Sequence, residues 1–209
     1  MRKLTLIIGG ARSGKSDYAQ RLAQQGRGPV LFIATAEPLD DEMHRRIAAH
    51  RQRRPIEWQT LELPTLVGTY LLAHPQKAEV VVLDCLTLLV SNRLPPAAPD
   101  ADQPDASAVH ATVEEEIAML LKAIDEIPAH WVVVSNEVGQ GIVPAYPMGR
   151  LFRDLLGQAN KQLADRADEV IWMVAGIPVP IGQHRGVEDR TKHEGHNVHE
   201  EQSKDVPSL

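Results

Sequence analysis

Cysteine is nearly absent from this chain. Cys85 is the only one in 209 residues, so no internal disulfide is possible. A basic excess is missing too: 22 Lys and Arg against 28 Asp and Glu leave a formal net charge of -6. That balance argues against a general binder of nucleic acid or membrane surfaces and requires any basic site to be local. No apolar run is long enough to cross a bilayer. The first residues lack the charged, apolar and small-residue order of a signal peptide, so a soluble cytoplasmic protein is expected, without membrane insertion. What is present is a hydrophobic fraction of 43%, enough for one α/β domain with a sizeable core and too little chain for two.

The most specific pattern is Gly9-Gly10-Ala11-Arg12-Ser13-Gly14-Lys15-Ser16, directly after the apolar run Leu4 to Ile8. It satisfies every specified position of the phosphate-binding loop G-x-x-x-x-G-K-[ST]. Gly9 and Gly14 allow a tight turn and close approach of backbone N–H groups to an anion. The Lys15 ammonium is suited to β and γ phosphates, and the Ser16 hydroxyl to the Mg²⁺ that bridges them. A helix beginning there adds its N-terminal dipole. The loop identifies a nucleotide-phosphate site without saying what is done with the nucleotide.

Helical spacing of Tyr18, Ala19, Leu22 and Ala23 predicts a helix from Asp17 to about Gln25, stopped by Gly26 and Gly28-Pro29. Val30 to Ala34 has the continuous apolar character of a buried parallel strand, and the order β-loop-α-β emerges. Thr35-Ala36-Glu37 leaves at the edge where ligands sit in open α/β sheets. Glu57 to Glu62 suggests a short edge strand, and Leu63 to Ala73 a helix with Pro64 early. Glu79 to Asp84 is the strongest strand, four aliphatics ended by a carboxylate. Asp84 there suits the Mg²⁺ held by Ser16, or merely terminates a strand.

Between Asp40 and Pro55 acids open and bases close a helical segment, as the helix dipole prefers. Met43, Ile47 and His50 share one stripe, with arginines around them. Spacing alone favours a core or capping histidine. The competing reading is a nucleophile or base among phosphate-binding arginines, kept neutral by those cations.

Pro95 to Ser107, rich in Pro, Ala and Asp, is expected to be a surface loop inserted in the domain. An amphipathic helix over Ala108 to Ile127, a buried strand over Trp131 to Ser135, a helix over Arg150 to Arg166 and a final strand over Glu169 to Ala175 follow. Asn136 to Pro144 is either a ligand-facing loop or a simple turn. Residues 1–181 thus form one domain, and 182–209 a disordered polar tail, where His193, His196 and His199 offer at most weak metal binding.

Several of these pieces occur together in one family. Gly9 to Ser16, Ile33-Ala34-Thr35, Asp40 to Met43 with Arg46-Ile47 and His50, Arg54-Pro55 with Trp58, and Asn136 to Gly139 with Gly141 to Pro144 resemble the bifunctional adenosylcobinamide kinase/adenosylcobinamide-phosphate guanylyltransferase of cobalamin biosynthesis. The resemblance runs from about Lys3 to Ile181. It implies a three-layer P-loop NTPase-like fold with a mainly parallel sheet, ATP and GTP as substrates with Mg²⁺, adenosylcobinamide and its phosphate as acceptors, and a homotrimer. It places the guanylylated histidine on His50, beside Lys15 as the second catalytic residue, which reverses the reading favoured by spacing. It also carries nucleotide contacts onto Gly9 to Ser16, Ala34, Thr35, Ala36, Arg51, Gln52, Arg53, Arg54, Glu62 and Asp84. Either Glu62 or Asp84 suits the guanine base, which for Asp84 competes with the metal role alongside Ser16. The polar tail and the Pro/Asp-rich insertion depart from the family pattern. A kinase without guanylyl transfer and a non-catalytic nucleotide switch remain alternative readings of the residues.

Overall fold

A computed structural model describes residues 2–37, 41, 44, 45, 48, 51, 54–94 and 105–182. The first strand, β1 (Lys3–Gly9), is buried along almost its whole length. It leads through the glycine-rich loop into α1 (Lys15–Gln24) and β2 (Val30–Ala34). Then follow β3 (Gln59–Glu62), α2 (Val67–Ala73), β4 (Val80–Asp84), α3 (Leu86–Asn92), α4 (Ala106–Glu126), β5 (His130–Asn136), α5 (Pro147–Ala164), β6 (Glu169–Val174) and β7 (Ile177–Gly182). Asp41, His44, Arg45, Ala48 and Arg51 are helical and exposed.

The seven strands form one sheet in the order β3-β2-β4-β5-β1-β6-β7, and only the β6–β7 pair is antiparallel. Both faces are covered, which explains the continuous apolar runs. Leu4, Leu6, Ile8, Leu31, Ile33, Val81, Leu83, Trp131 and Val133 pack under α2 to α5. The alternate residues Ile7, Val30, Phe32, Val80, Val82, Val132 and Val134 pack under Ala19 and Ala23 of α1. This is the expected three-layer P-loop NTPase-like arrangement. Among the described residues no helix is long and apolar enough to cross a membrane.

Four boundaries differ from expectation, each for a tertiary reason. The helix expected from Leu63 starts only at Val67, because Leu66 adopts φ 56° and turns the chain. Its first N–H groups, which have no partner within the helix, find one far away in sequence: Glu116 on α4 accepts from Leu66 N at 2.7 Å and Val67 N at 3.0 Å, and pairs with Arg93 at 3.6 Å. Gly68 lies so close to α4 that a Cβ there would sit 2.2 Å from the Met119 backbone. Second, the expected loop Pro95 to Ser107 gives way at Asp105, whose side chain caps α4 by accepting from Ser107 N and Ala108 N at 3.1 Å; residues 95–104 lie outside the described residues. Third, α5 starts at Pro147 rather than Arg150, with the proline in the first turn where no N–H is required.

The fourth difference concerns the sheet edge. The strand over Glu169 to Val174 does not close the sheet. Ala175 (φ 49°) and Gly176 (φ 84°) form a two-residue hairpin turn, and β7 pairs back on β6, taking in Gly182. Pro178 and Pro180 opposite Met173 and Ile171 mask a strand from its composition, yet an edge strand tolerates prolines whose missing N–H groups face outward. The remainder of the expected tail, with His193, His196 and His199, lies outside the described residues.

The Glu116 contacts define a test of the fold. Glu116→Ala orphans two helix N–H groups and leaves Arg93 unpaired, so a loss of about 3 kcal/mol is expected. Urea denaturation would measure it, with an unchanged midpoint showing that the helix end is satisfied otherwise.

Candidate active site

The C-terminal ends of the parallel strands converge on one edge, and the glycine-rich loop leaves it from β1, between β5 and β6. Gly9 sits where only a glycine fits: an added Cβ would be 2.5 Å from the Met173 carbonyl oxygen of β6. Gly14 is left-handed (φ 88°) and serves as the N-cap of α1 with no side-chain cap, so the first N–H groups of the helix remain directed at the loop. Two backbone hydrogen bonds fix the loop from outside. Gly9 O accepts from Glu137 N at 3.1 Å, and Ser13 O accepts from Gly176 N at 3.0 Å. Ser13 Oγ is buried without a hydrogen-bond partner among the described residues.

Lys15 is 7% exposed and its Nζ donates to Gly10 O at 2.6 Å, arching back across the loop. Burial lowers its pKa from the ordinary lysine value, while negative charge on Cys85 and Asp84 acts the other way. Burial, with Asp84 adding to it, pushes the Cys85 thiol up to about 11. Cys85 is therefore a neutral thiol near pH 7, and the Asp84 carboxylate is the group that offsets the lysine there.

Asp84, Ala34 and Glu62 occupy one lateral row across β4, β2 and β3. Strand periodicity turns Asp84 and Glu62 to the face shared with Val80, Val82 and Thr60, which is the α1 face. Arg54 sits above this row. Its guanidinium lies 3.8 Å from the Phe32 ring centroid, and Phe32 in turn stacks on Trp58 at 6.3 Å. Burial lowers the Arg54 pKa, Arg51 adding to this while Asp84 and Glu62 oppose it. Arg51 pairs with Glu62 at 2.7 Å. Lys15, Asp84, Arg54, Glu62 and Arg51 are thus brought into one electrostatic cluster. Gly10, Ala11 and Arg12 are exposed on the loop, Ser16 is half-buried in the first turn of α1, and Ala36 is half-buried past β2. His50, Gln52 and Arg53, with Met43 and Ile47, lie outside the described residues.

Thr35 is fully buried, and its hydroxyl is spent on the neighbouring strand end: Oγ1 donates to Cys85 O and accepts from Cys85 N, both at 2.8 Å. The hydroxyl thereby braces the two strand ends against each other. Asn92 on α3 extends the brace, donating to Thr35 O at 2.8 Å and Pro64 O at 3.0 Å. One amide thereby ties the chain leaving β2 to the chain leaving β3. On the other side, Asn160 of α5 accepts from Ser135 Oγ at 2.6 Å and donates to Asn136 O at 3.0 Å, and Arg153 donates to Gly139 O at 2.7 Å. Arg153 and Asn160 fall within the helix expected over Arg150 to Arg166, but neither the spacing there nor the residues around Asn92 hold a sign of these long-range bonds.

Asn92→Ala removes both donors and leaves two carbonyls without them. Loss of about 2 kcal/mol of stability is expected. Nucleotide Kd should also rise roughly tenfold as the strand exits loosen. Titration with a fluorescent nucleotide, alongside denaturation, checks both, and an unchanged Kd would show that the exits hold without Asn92.

The sequence profile described as cobinamide kinase / cobinamide phosphate guanyltransferase matches residues 5–181. The bifunctional adenosylcobalamin biosynthesis protein CobU of Salmonella typhimurium is 42% identical over 181 residues, covering 85% of this chain and 99% of that protein. CobU of Escherichia coli is 43% identical over 180 residues, again covering 85% and 99%. CobP of Pseudomonas aeruginosa is 40% identical over 176 residues, covering 84% and 95%. Among solved structures, the RadB recombinase gives a TM-score of 0.45 at 15% identity, covering 81% of this chain and 73% of that one, a likeness too slight to bear on the argument. With a family profile along almost the whole described domain and relatives matched nearly end to end, this chain belongs to the cobinamide kinase / cobinamide phosphate guanyltransferase family.

Proposed function

We propose that the protein phosphorylates adenosylcobinamide and then converts the product to adenosylcobinamide-GDP. The observation that carries this reading is the cluster of Lys15, Asp84, Arg54, Arg51 and Glu62 on the α1 face, within a chain of this family. In the first step the acceptor hydroxyl oxygen bonds to the γ-phosphorus of ATP or GTP. The bond from that phosphorus to the bridging oxygen breaks, and the hydroxyl proton is lost. Lys15 and the loop N–H groups stabilise charge on the transferred group and the leaving diphosphate.

In the second step His50 attacks the α-phosphorus of GTP, the bond to the bridging oxygen breaks, and pyrophosphate leaves. A phosphate oxygen of adenosylcobinamide phosphate then displaces the histidine nitrogen, forming the new diphosphate linkage and freeing the enzyme. Arg51, adjacent to His50 in sequence, and Arg54 support this role by placing positive charge in the cluster. We assign Gln52 and Arg53 to the same nucleotide-binding segment, and Gly9 to Ser16 with Ala34 to Ala36 to the rest of the nucleotide site.

The strand order supports a division of labour between the two carboxylates. Asp84 is two strands from β1 and Glu62 four, roughly 10 and 19 Å at the usual inter-strand spacing. Asp84 therefore suits the phosphate end, and Glu62 the guanine base with its N–H donors. Ser16 and Asp84 are oxygen ligands of the kind Mg²⁺ takes. Phosphate oxygens of the nucleotide and water would complete the shell. When bound, the ion supplies charge neutralisation at the β and γ phosphates. We further propose a cytoplasmic homotrimer, as the motif resemblance suggests.

Incubation with α-labelled GTP tests the covalent step. The expected outcome is acid-labile label on the wild-type chain, none on His50→Ala, and kinase turnover retained in that variant. Label that survives the substitution would remove His50 as nucleophile. Lys15→Ala should abolish nucleotide binding, measurable by titration, because Lys15 is the one cation buried at the loop among the described residues.

A further inference from the structure

We propose that residues 137–146, the segment between β5 and α5, form the docking surface for the macrocycle of the corrinoid acceptor, with Ile142, Val143 and Tyr146 laid against an apolar face of the ring. This rests on the activity proposed above and deepens it, since neither the phosphate loop nor the arginine cluster provides a place for a large ring.

Position is the first argument. β5 lies between β4 and β1, so the chain leaving it emerges between Asp84 and the phosphate loop. Its first residue, Glu137, donates its N–H to Gly9 O at 3.1 Å. An acceptor must bring its hydroxyl to the terminal phosphate, and this segment borders that place directly.

Order is the second. Arg153 donates to Gly139 O at 2.7 Å, and Arg150 donates to Pro144 O at 3.1 Å and Ala145 O at 2.7 Å. Gly139 N donates to the Glu137 carboxylate. The Tyr146 ring rests over Gly149 so closely that a Cβ there would be 2.6 Å from it. Val138 packs into the core below. The segment is a braced shape rather than a trailing loop.

Chemistry is the third. On this braced backbone Ile142 is 97% exposed, and Val143 and Tyr146 are each 60% exposed. Three large apolar side chains within five residues, held in water beside a catalytic site, mark a binding surface. The two cations that hold this segment, Arg150 and Arg153, are engaged with its backbone carbonyls, so they offer no second phosphate site. A corrin ring offers broad apolar faces with a polar amide rim, which fits exposed aliphatic groups flanked by backbone.

The test is equilibrium dialysis of cobinamide, followed by its visible absorbance, against the full wild-type chain, an Ile142→Ser/Val143→Ser double variant and Ile142→Leu. Kinase KM values and sedimentation are measured on the same samples. The proposal expects corrinoid Kd and KM to rise tenfold or more in the double variant, GTP KM to stay within twofold, and Ile142→Leu to stay near wild type. Unchanged corrinoid affinity in the double variant overturns the docking surface alone. A fall in sedimenting mass with corrinoid affinity unchanged also overturns it and assigns the face to contact between copies of the chain. Weakened corrinoid binding without any phosphorylation by the wild type would uphold the surface and overturn the activity. No corrinoid binding by the wild type overturns both.

Discussion

The site depends on the backbone of residues 9–14 being held in place from two sides. Gly9 O receives Glu137 N from the chain leaving β5, and Ser13 O receives Gly176 N from the β6–β7 turn. Gly9 is pressed against Met173 O, and Gly14 lies against Gly176, whose Cα would be 3.3 Å from an added Cβ. These clamps come from the strands on either side of β1 in the sheet order. An anion site made of N–H groups works only if they are aimed before the ligand arrives, because reorientation would consume the binding energy. Parallel pairing supplies that aim by bringing three adjacent strand exits to one edge.

Charge is the second constraint. A buried lysine is costly unless paired, and Asp84 is the carboxylate that offsets Lys15 at neutral pH, since Cys85 keeps its proton up to about 11. The same carboxylate also acts on Arg54, which is further supported by the face of Phe32. Among the described residues, Lys15, Arg51 and Arg54 meet Glu62 and Asp84 in this cluster, three cations to two carboxylates in a chain whose overall charge is -6. Composition required any basic site to be local, and these cations are gathered by folding from distant points of the chain onto one row of strand ends. On the proposed reading, an anionic nucleotide completes its charge balance.

The parts legible in the sequence are those encoded over a few residues. Apolar runs marked β1, β2, β4 and β5, the glycine spacing marked the phosphate loop, and a carboxylate at the end of the strongest strand marked Asp84. Features that depend on partners far along the chain were not legible. Glu116 looks like any acidic residue on an amphipathic helix, yet it caps α2 from 49 and 50 positions away. Asn92 looks like the polar end of a short helix, yet it ties Thr35 to Pro64. β7 escaped because its two prolines signal a break, and only the edge position makes them tolerable. Thr35 follows a strand that points to the ligand edge, but nothing in the sequence signals that its hydroxyl is bonded to both the N–H and the carbonyl of Cys85, 50 positions away.

The sheet order also bears on how one site serves two transfers. On the proposed reading, γ-phosphoryl transfer takes place where β1 and β5 open, beside the phosphate loop and residues 137–146. Guanylyl transfer needs a nucleophile at the α-phosphorus, displaced along the nucleotide toward β2 and β3, where Arg54 and the Arg51–Glu62 pair sit. A nucleotide bound along the C-terminal edge with its base toward Glu62 presents its γ-phosphorus to one neighbourhood and its α-phosphorus to the other. The two reactions then require different acceptor positions but only one nucleotide orientation. Because a strand spacing of about 4.8 Å is fixed by backbone hydrogen bonding, that separation is a property of the sheet rather than of any side chain. Substitutions at His50 and at residues 137–146 should accordingly act on different steps, while changes in the loop or at Asp84 act on both.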